Sequence, residues 1–168
     1  LYFQNLFTIM CGLVESAMVR AFDYENVARQ TMLVPGTEFL NTQAFLPEVL
    51  AANELKHDHM GDHLLLRVAD AWQDDGSRLM GAIRQTDEAG VLQDGNVYVL
   101  MNQASEHELP IINKRLTQAG LHVTLVSDHE EDSLLAEASK QVAAESQANE
   151  TLRRNVAPNR SEEHTSEL

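Results

Sequence analysis

Arg84-Gln85-Thr86-Asp87, followed by Gln93-Asp94-Gly95-Asn96-Val97 and the apolar run Tyr98-Val99-Leu100-Met101, decides how this chain folds. Asp94-Gly95 between two apolar segments is a two-residue hairpin signal, since both turn positions must tolerate positive φ. The spacing predicts strands over residues 91–93 and 96–101. Upstream, Leu64-Leu65-Leu66 with Val68 is a short continuous apolar run, the mark of a strand buried on both faces. Downstream, Ser105 and Glu108 form a capping box that opens a helix. Pro110 is tolerated only in that helix's first turn. Ile111, Ile112 and Leu116 are its inward face, and Gly120 its C-cap. Residues 122–126 read as the next strand. Residues 132–152 read as a last helix on Leu134, Leu135, Ala138 and Val142, polar and frayed beyond Ala143.

Toward the N-terminus, residues 1–22 are an amphipathic helix. Phe3, Leu6, Phe7, Met10, Leu13, Val14, Ala17 and Met18 form one stripe. Such a helix packs on its own domain or dimerises. Residues 23–36 form a connector that closes with the turn Pro35-Gly36. Residues 41–56 are helical, with Phe45, Leu46, Val49 and Leu50 as the apolar face, and a polar loop follows to Asp62. Asp74-Asp75-Gly76-Ser77 breaks the chain, and a short helix carries Leu79, Met80 and Ile83 inward. This order of elements implies an α+β sandwich, a mainly antiparallel sheet flanked by helices.

The chain has 168 residues, 43% of them hydrophobic, which is enough for one domain with a real core. Its formal charge of -14 argues against nucleic-acid binding, so an anionic ligand must rely on locally placed arginines. One cysteine, Cys11, excludes a disulfide framework. No uninterrupted apolar run approaches the roughly eighteen residues of a membrane helix. Two terminal segments are set apart from the fold. Residues 160–168 read as a translated sequencing adapter, and residues 1–4 as either native helix or a tag remnant.

The layout resembles a GGDEF domain, the fold of diguanylate cyclases. The family carries an RxxD tetrapeptide five residues before its signature, as Arg84 to Asp87 stand here before Gln93 to Val97. Thr37, Asn41 and Phe45 match the family's opening TGLxNRRxF, and the resemblance covers residues 37–140. The signature itself is lost: QDGNV stands where GGDEF should be. Val68 stands at the first-strand metal-binding Asp, Asp70 survives nearby, and the segment after that strand is truncated. A shortened, degenerate domain of this kind is most similar to PelD-type receptors of Pel exopolysaccharide export. The implied domains are 1–29 as the end of a preceding GAF-like domain with its linker, 30–150 as the degenerate GGDEF domain, and 151–168 as a disordered tail.

The resemblance implies a catalytically inactive receptor for cyclic di-GMP, with no catalytic residue and no metal or cofactor besides that ligand. Binding would fall to Arg84, Asp87 and Arg115, with Gln85 and Glu88 as weaker contacts. Arginine's planar fork pairs with guanine O6 and N7, and a carboxylate accepts from the guanine N1–H edge. Implied partners are polysaccharide synthesis and export proteins, with a homodimer through residues 1–22 and no nucleic acid. The implied location is the cytoplasmic side of a bacterial inner-membrane protein. Two rivals stand beside this reading: an inert interaction module, and a residual diguanylate cyclase. His57-Asp58-His59 with Asp62 and His63 reads as a solvated loop rather than a metal site, and Trp72 as core filler.

Overall fold

The computed structural model describes residues 2–162, with side chains to residue 156. Two compact units divide the chain, residues 1–124 and 125–168. The elements of the first are helices α1 (Tyr2–Met32), α2 (Thr42–His57), α3 (Ser77–Ala82) and α4 (Leu109–Gln118), and strands β1 (His63–Ala69), β2 (Glu88–Val91), β3 (Val97–Asn102) and β4 (His122–Leu125), whose last residue crosses the division. The sheet order is β2-β3-β1-β4. The β1–β3 and β2–β3 pairs are antiparallel, with Leu66 opposite Val99 and Val91 opposite Val97. The architecture is therefore α+β, as the order of elements implied.

β3 is buried from Val97 to Met101, and β1 at His63, Leu64, Leu65, Leu66 and Val68. Side chains of a strand alternate between faces, so continuous burial means that both faces are covered. α2 lies on β1 and β2 and contributes Phe45, Leu46 and Val49 to the core. Gly90 on β2 lets the Phe45 ring come against the strand backbone. Asn41 caps α2: its side-chain oxygen accepts from the Ala44 N–H at 2.9 Å. Leu40 bridges Gly90, with the Leu40 N–H donating to the Ala89 carbonyl at 2.9 Å and the Val91 N–H to the Leu40 carbonyl at 2.9 Å.

Several expectations change. α1 runs on to Met32, because no glycine or proline interrupts residues 23–32, so the connector is short. α1 is also long and apolar enough to cross a membrane by length and composition. Its scattered polar residues break the apolar runs without lowering the average far. The hairpin turn is wider than two residues. Only Gly95 has positive φ there, at 79°, while the Asn96 N–H donates to the Asp94 carboxylate at 3.1 Å. The side chain thus builds an Asx-type loop over residues 92–96, and β2 spans Glu88–Val91. Ile111 is exposed, and Ile112 and Leu116 alone carry the buried stripe of α4. Trp72 is half exposed: its indole N–H donates to the Gly95 carbonyl at 3.1 Å, and its ring meets Phe39 edge-on at 5.7 Å. An indole carries a donor that must be satisfied, so it straps the turn rather than filling the core.

In the second unit, α5 (Asp128–Glu162) begins with the Ser127 hydroxyl accepting from the Glu130 N–H at 3.3 Å. Val126, Glu131, Leu135 and Ala138 are buried. The tail expected to be disordered from residue 151 is helical through Glu162. Residues 143–156 are rich in helix formers, and an Arg154–Glu150 pair at 2.8 Å spans one turn. Most of the adapter-like segment lies outside the described residues.

A Cβ at position 90 would overlap the Phe45 ring, which is fully buried and cannot retreat. Gly90→Ala is therefore expected to lower stability by about 1–3 kcal/mol, read as a fall in the urea midpoint with m unchanged.

Candidate functional site

After α3 the chain turns through residues 84–87 and enters β2. Asp87 is the hub of this turn, its side chain 0% exposed. One oxygen accepts from the Arg84 backbone N–H at 3.0 Å and from Arg84 Nε at 3.1 Å; the other accepts from Arg84 Nη2 at 3.2 Å. Arg84 Nη2 also donates to the Asn102 carbonyl at 3.1 Å, and Asn102 Nδ2 donates to the Thr86 carbonyl at 2.7 Å. The Asp87 carboxylate beside it favours the charged Arg84 guanidinium, whose side chain is 42% exposed. The two residues expected to face a ligand side by side thus hold each other, and only Arg84 presents an open edge. The turn lies beyond the end of α3 at Ala82.

Gln85 is exposed on the same turn. Glu88, the first residue of β2, is half-buried, and its Oε2 makes no hydrogen bond among the described residues. Burial, and then the neighbouring Glu48 of α2, push its carboxyl above the usual range. Glu88 is therefore poorly suited to contact an anion.

Arg115 stands apart from Arg84 in role. It lines an open groove of about 410 Å³ between α3 and α4, with Arg78, Gly81, Ala82, Gln118 and Ala119. Its side chain is exposed and makes no hydrogen bond or ion pair among the described residues. Arg78, across the groove, donates from Nε and Nη2 to Asp74 at 2.9 and 2.6 Å. This bond holds the Asp74 carboxyl below the usual range. Sequence reasoning missed Arg78. Its signal was one helical turn of separation from Asp74, which marks it as a held and therefore oriented guanidinium.

The turn at residues 94–98 is held by its own side chains. The Asp94 carboxylate accepts from the Asn96 N–H, from Asn96 Nδ2 at 2.9 Å and from the Tyr98 hydroxyl. Arg67 Nε reaches the same hydroxyl at 3.3 Å, and its guanidinium lies 5.5 Å from the Tyr98 ring centroid. Burial and the Asp94 carboxylate raise the Tyr98 phenol's pKa. Val68 is buried, whereas Asp70 is exposed in a left-handed conformation with φ 56°. The histidine-rich segment is spread out: His57 ends α2, His59 sits at φ 57°, and His63 is buried in β1. Among the described residues no three His, Cys, Asp or Glu side chains converge as metal ligands would.

No family model and no curated protein matches the chain. Among solved structures, the chain is similar to one from the crystal structure of diguanylate cyclase SiaD in complex with its activator SiaC from Pseudomonas aeruginosa. Identity is 14% over 82% of this chain and 72% of that one, with a TM-score of 0.44.

The Glu88 shift sets a pH dependence. Its folded pKa is raised above the ordinary value of 4.5, so the native state favours the protonated form. Stability from this group is fully present below 4.5 and is lost as pH rises through the folded pKa. Glu88→Gln should therefore raise the denaturation midpoint at pH 7 and leave it unchanged near pH 4, in urea titrations across that range.

Proposed function

We propose that this chain is a receptor domain for cyclic di-GMP that does not turn over GTP. The observation that carries the reading is Arg115. In a chain with 12 basic and 26 acidic residues, its guanidinium is unpaired among the described residues and opens on a groove shared with a second, oriented guanidinium. The floor of that groove is small at Gly81, Ala82 and Ala119, which leaves room for a planar base or a phosphate. Arg84 follows Ala82 by two residues and keeps one edge exposed.

A guanine dinucleotide offers what these groups recognise. Its phosphates pair with fixed guanidiniums, and its bases stack on or hydrogen-bond to them. Arg115 and Arg78 serve as the main contacts and Arg84 as the third. Asp87 acts mainly by holding Arg84. Gln85 is free to add a polar contact from the same turn.

The reading without turnover rests on residue chemistry. Phosphoryl transfer between nucleotides needs carboxylates free to bind metal ions. Asp94 spends both oxygens on its own turn, and valine stands at position 68. By the same proposal, ligand binding regulates polysaccharide synthesis or export from the cytoplasmic side of a bacterial inner membrane. The degenerate family pattern alone supports that pathway.

Calorimetric titration with cyclic di-GMP tests the proposal. Arg115→Ala and Arg78→Ala should each weaken binding about 10- to 100-fold, the range for a lost charge-assisted hydrogen bond, without lowering the melting temperature much. Arg84→Ala should weaken binding and also destabilise the fold, by roughly 1–3 kcal/mol, since it strips Asp87 of two donors. A folded parent that takes up no cyclic di-GMP defeats the proposal and favours the inert interaction module. Magnesium-dependent consumption of GTP favours the cyclase.

A further inference from the structure

We propose that Asp94, in the Asp94–Gly95 pair, is a site of spontaneous isoaspartate formation, and that Asn96 and Tyr98 set its rate. The proposal is independent of the nucleotide reading. An aspartate followed by glycine is the least shielded of aspartyl linkages, because no Cβ screens the glycine nitrogen. That nitrogen gives up its proton and bonds to the aspartate Cγ, the carboxyl gives up its hydroxyl, and one water departs. The product is a five-membered succinimide. One water then adds back. Opening at Cγ restores aspartate. Opening at the main-chain carbonyl leaves the backbone running through Cβ and Cγ, with the α-carboxylate free. The sequence of steps needs no oxidant, cofactor or second protein.

The chain holds two such linkages, Asp75–Gly76 and Asp94–Gly95, and no asparagine precedes a glycine. The fold treats them alike in one respect. Each carboxylate accepts from the backbone N–H two residues on, of Ser77 and of Asn96, both at 3.1 Å. Each glycine has positive φ, 88° and 79°. The two differ in room. Gly76 is buried, and a Cβ there would lie 2.6 Å from the Phe39 ring, itself 1% exposed. The Gly76 N–H donates to the Asp74 carboxylate at 2.8 Å, and the Asp75 carbonyl accepts from the Glu38 N–H at 2.8 Å. Closing a ring at Asp75 therefore displaces core packing and two hydrogen bonds to other residues. Asp94 and Gly95 are both exposed, and nothing lies within 4 Å of the place a Gly95 Cβ would take. The Gly95 N–H donates to the Leu92 carbonyl at 3.0 Å, a bond internal to the turn. The second linkage has space to close, and the first does not.

What restrains Asp94 is a brake made of side chains. One carboxylate oxygen accepts from the Asn96 backbone N–H; the other accepts from Asn96 Nδ2 at 2.9 Å and from the Tyr98 hydroxyl. The carboxyl must turn out of these bonds before Cγ can meet the Gly95 nitrogen. Tyr98 is fully buried, so its hydroxyl is a fixed donor rather than a mobile one. Hydrogen bonds to an ionised group are the stronger kind, and each one kept slows the reaction. Isoaspartate moves the carboxylate by one bond and lengthens the loop by one carbon. Asn96 and Tyr98 then lose their acceptor, and the Gly95 carbonyl moves away from the Trp72 indole that it holds. Ageing at this one residue therefore opens the turn.

The test ages the whole chain at neutral pH, then maps its peptides by mass spectrometry with fragmentation that separates isoaspartate from aspartate. Isoaspartate should accumulate at Asp94 while Asp75 stays intact. Tyr98→Phe removes one donor and should speed the reaction at Asp94 about tenfold, the rate equivalent of one hydrogen bond to a charged group. Asn96→Ala, at an exposed position that the core does not need, should speed it by about threefold or more. Gly90→Ala, which loosens the fold without touching the turn, should not. Emission from Trp72, the single tryptophan, should shift to the red in step with the modification. Isoaspartate at Asp75 as early as at Asp94 overturns the proposal. So does its absence from Asp94 in the parent and both turn variants, or an Asn96→Ala rate no faster than that of the parent or of Gly90→Ala. Unchanged Trp72 emission in fully modified protein overturns the opening of the turn.

Discussion

The buried carboxylate of Asp87 is the constraint on which this half of the domain depends. An ionised carboxylate excluded from water is tolerated only if its oxygens are taken up by donors. Among the described residues every donor it receives comes from Arg84, three positions earlier. The turn between them therefore has one acceptable shape. Arg84 and Asn102 then fasten that turn to the far end of β3, which sets Glu88 opposite Leu100. From that register follow the burial of Ala89 and Val91 and the contact of Gly90 with Phe45, on which α2 is seated.

The same constraint limits what Arg84 can give a ligand. A guanidinium that supports a buried charge cannot be taken away without exposing or stranding that charge. Under the proposed receptor function, contact with a ligand is left to its outer edge and to groups with no such duty. Arg115 answers that description, and Arg78 does so in part, since its Asp74 partner is solvated and releases it at little cost. An RxxD tetrapeptide read in isolation would have assigned nearly all of the recognition to itself.

The elements legible in the sequence are those specified by local chemistry. The buried strands announced themselves through uninterrupted apolar runs, α4 through Ser105 and Glu108, and its end through Gly120, which has φ 79°. What escaped depends on contacts distant in sequence, or on patterns that averages blur. The hairpin width was set by the Asp94 side chain and not by the Asp-Gly pair. Ile111 stood next to a true core residue, but the helical period allowed only Ile112 inward. α1 reaches past its apolar stripe because residues 23–32, though more polar, hold no glycine or proline to end the helix. The groove was invisible because it depends on α3 lying against α4.

The turn at residues 93–97 also has a structural consequence. A turn with two glycines keeps its backbone bare so that a ligand can approach, and leaves its own polar groups partly unmet. In the present turn Asn96 and Tyr98 both donate to the Asp94 carboxylate, and the Trp72 indole donates to the Gly95 carbonyl. Such a loop gains local order, because the Asp94 carboxylate and the Asn96 amide already have partners within the protein. Opening it to nucleotide would break several hydrogen bonds at once before any new one formed. The loop is therefore a self-contained cap on the β2–β3 hairpin. Among the described residues the exposed guanidinium of Arg115 stands instead at the α3–α4 groove, where a ligand of the kind proposed would leave the hairpin's hydrogen bonds intact.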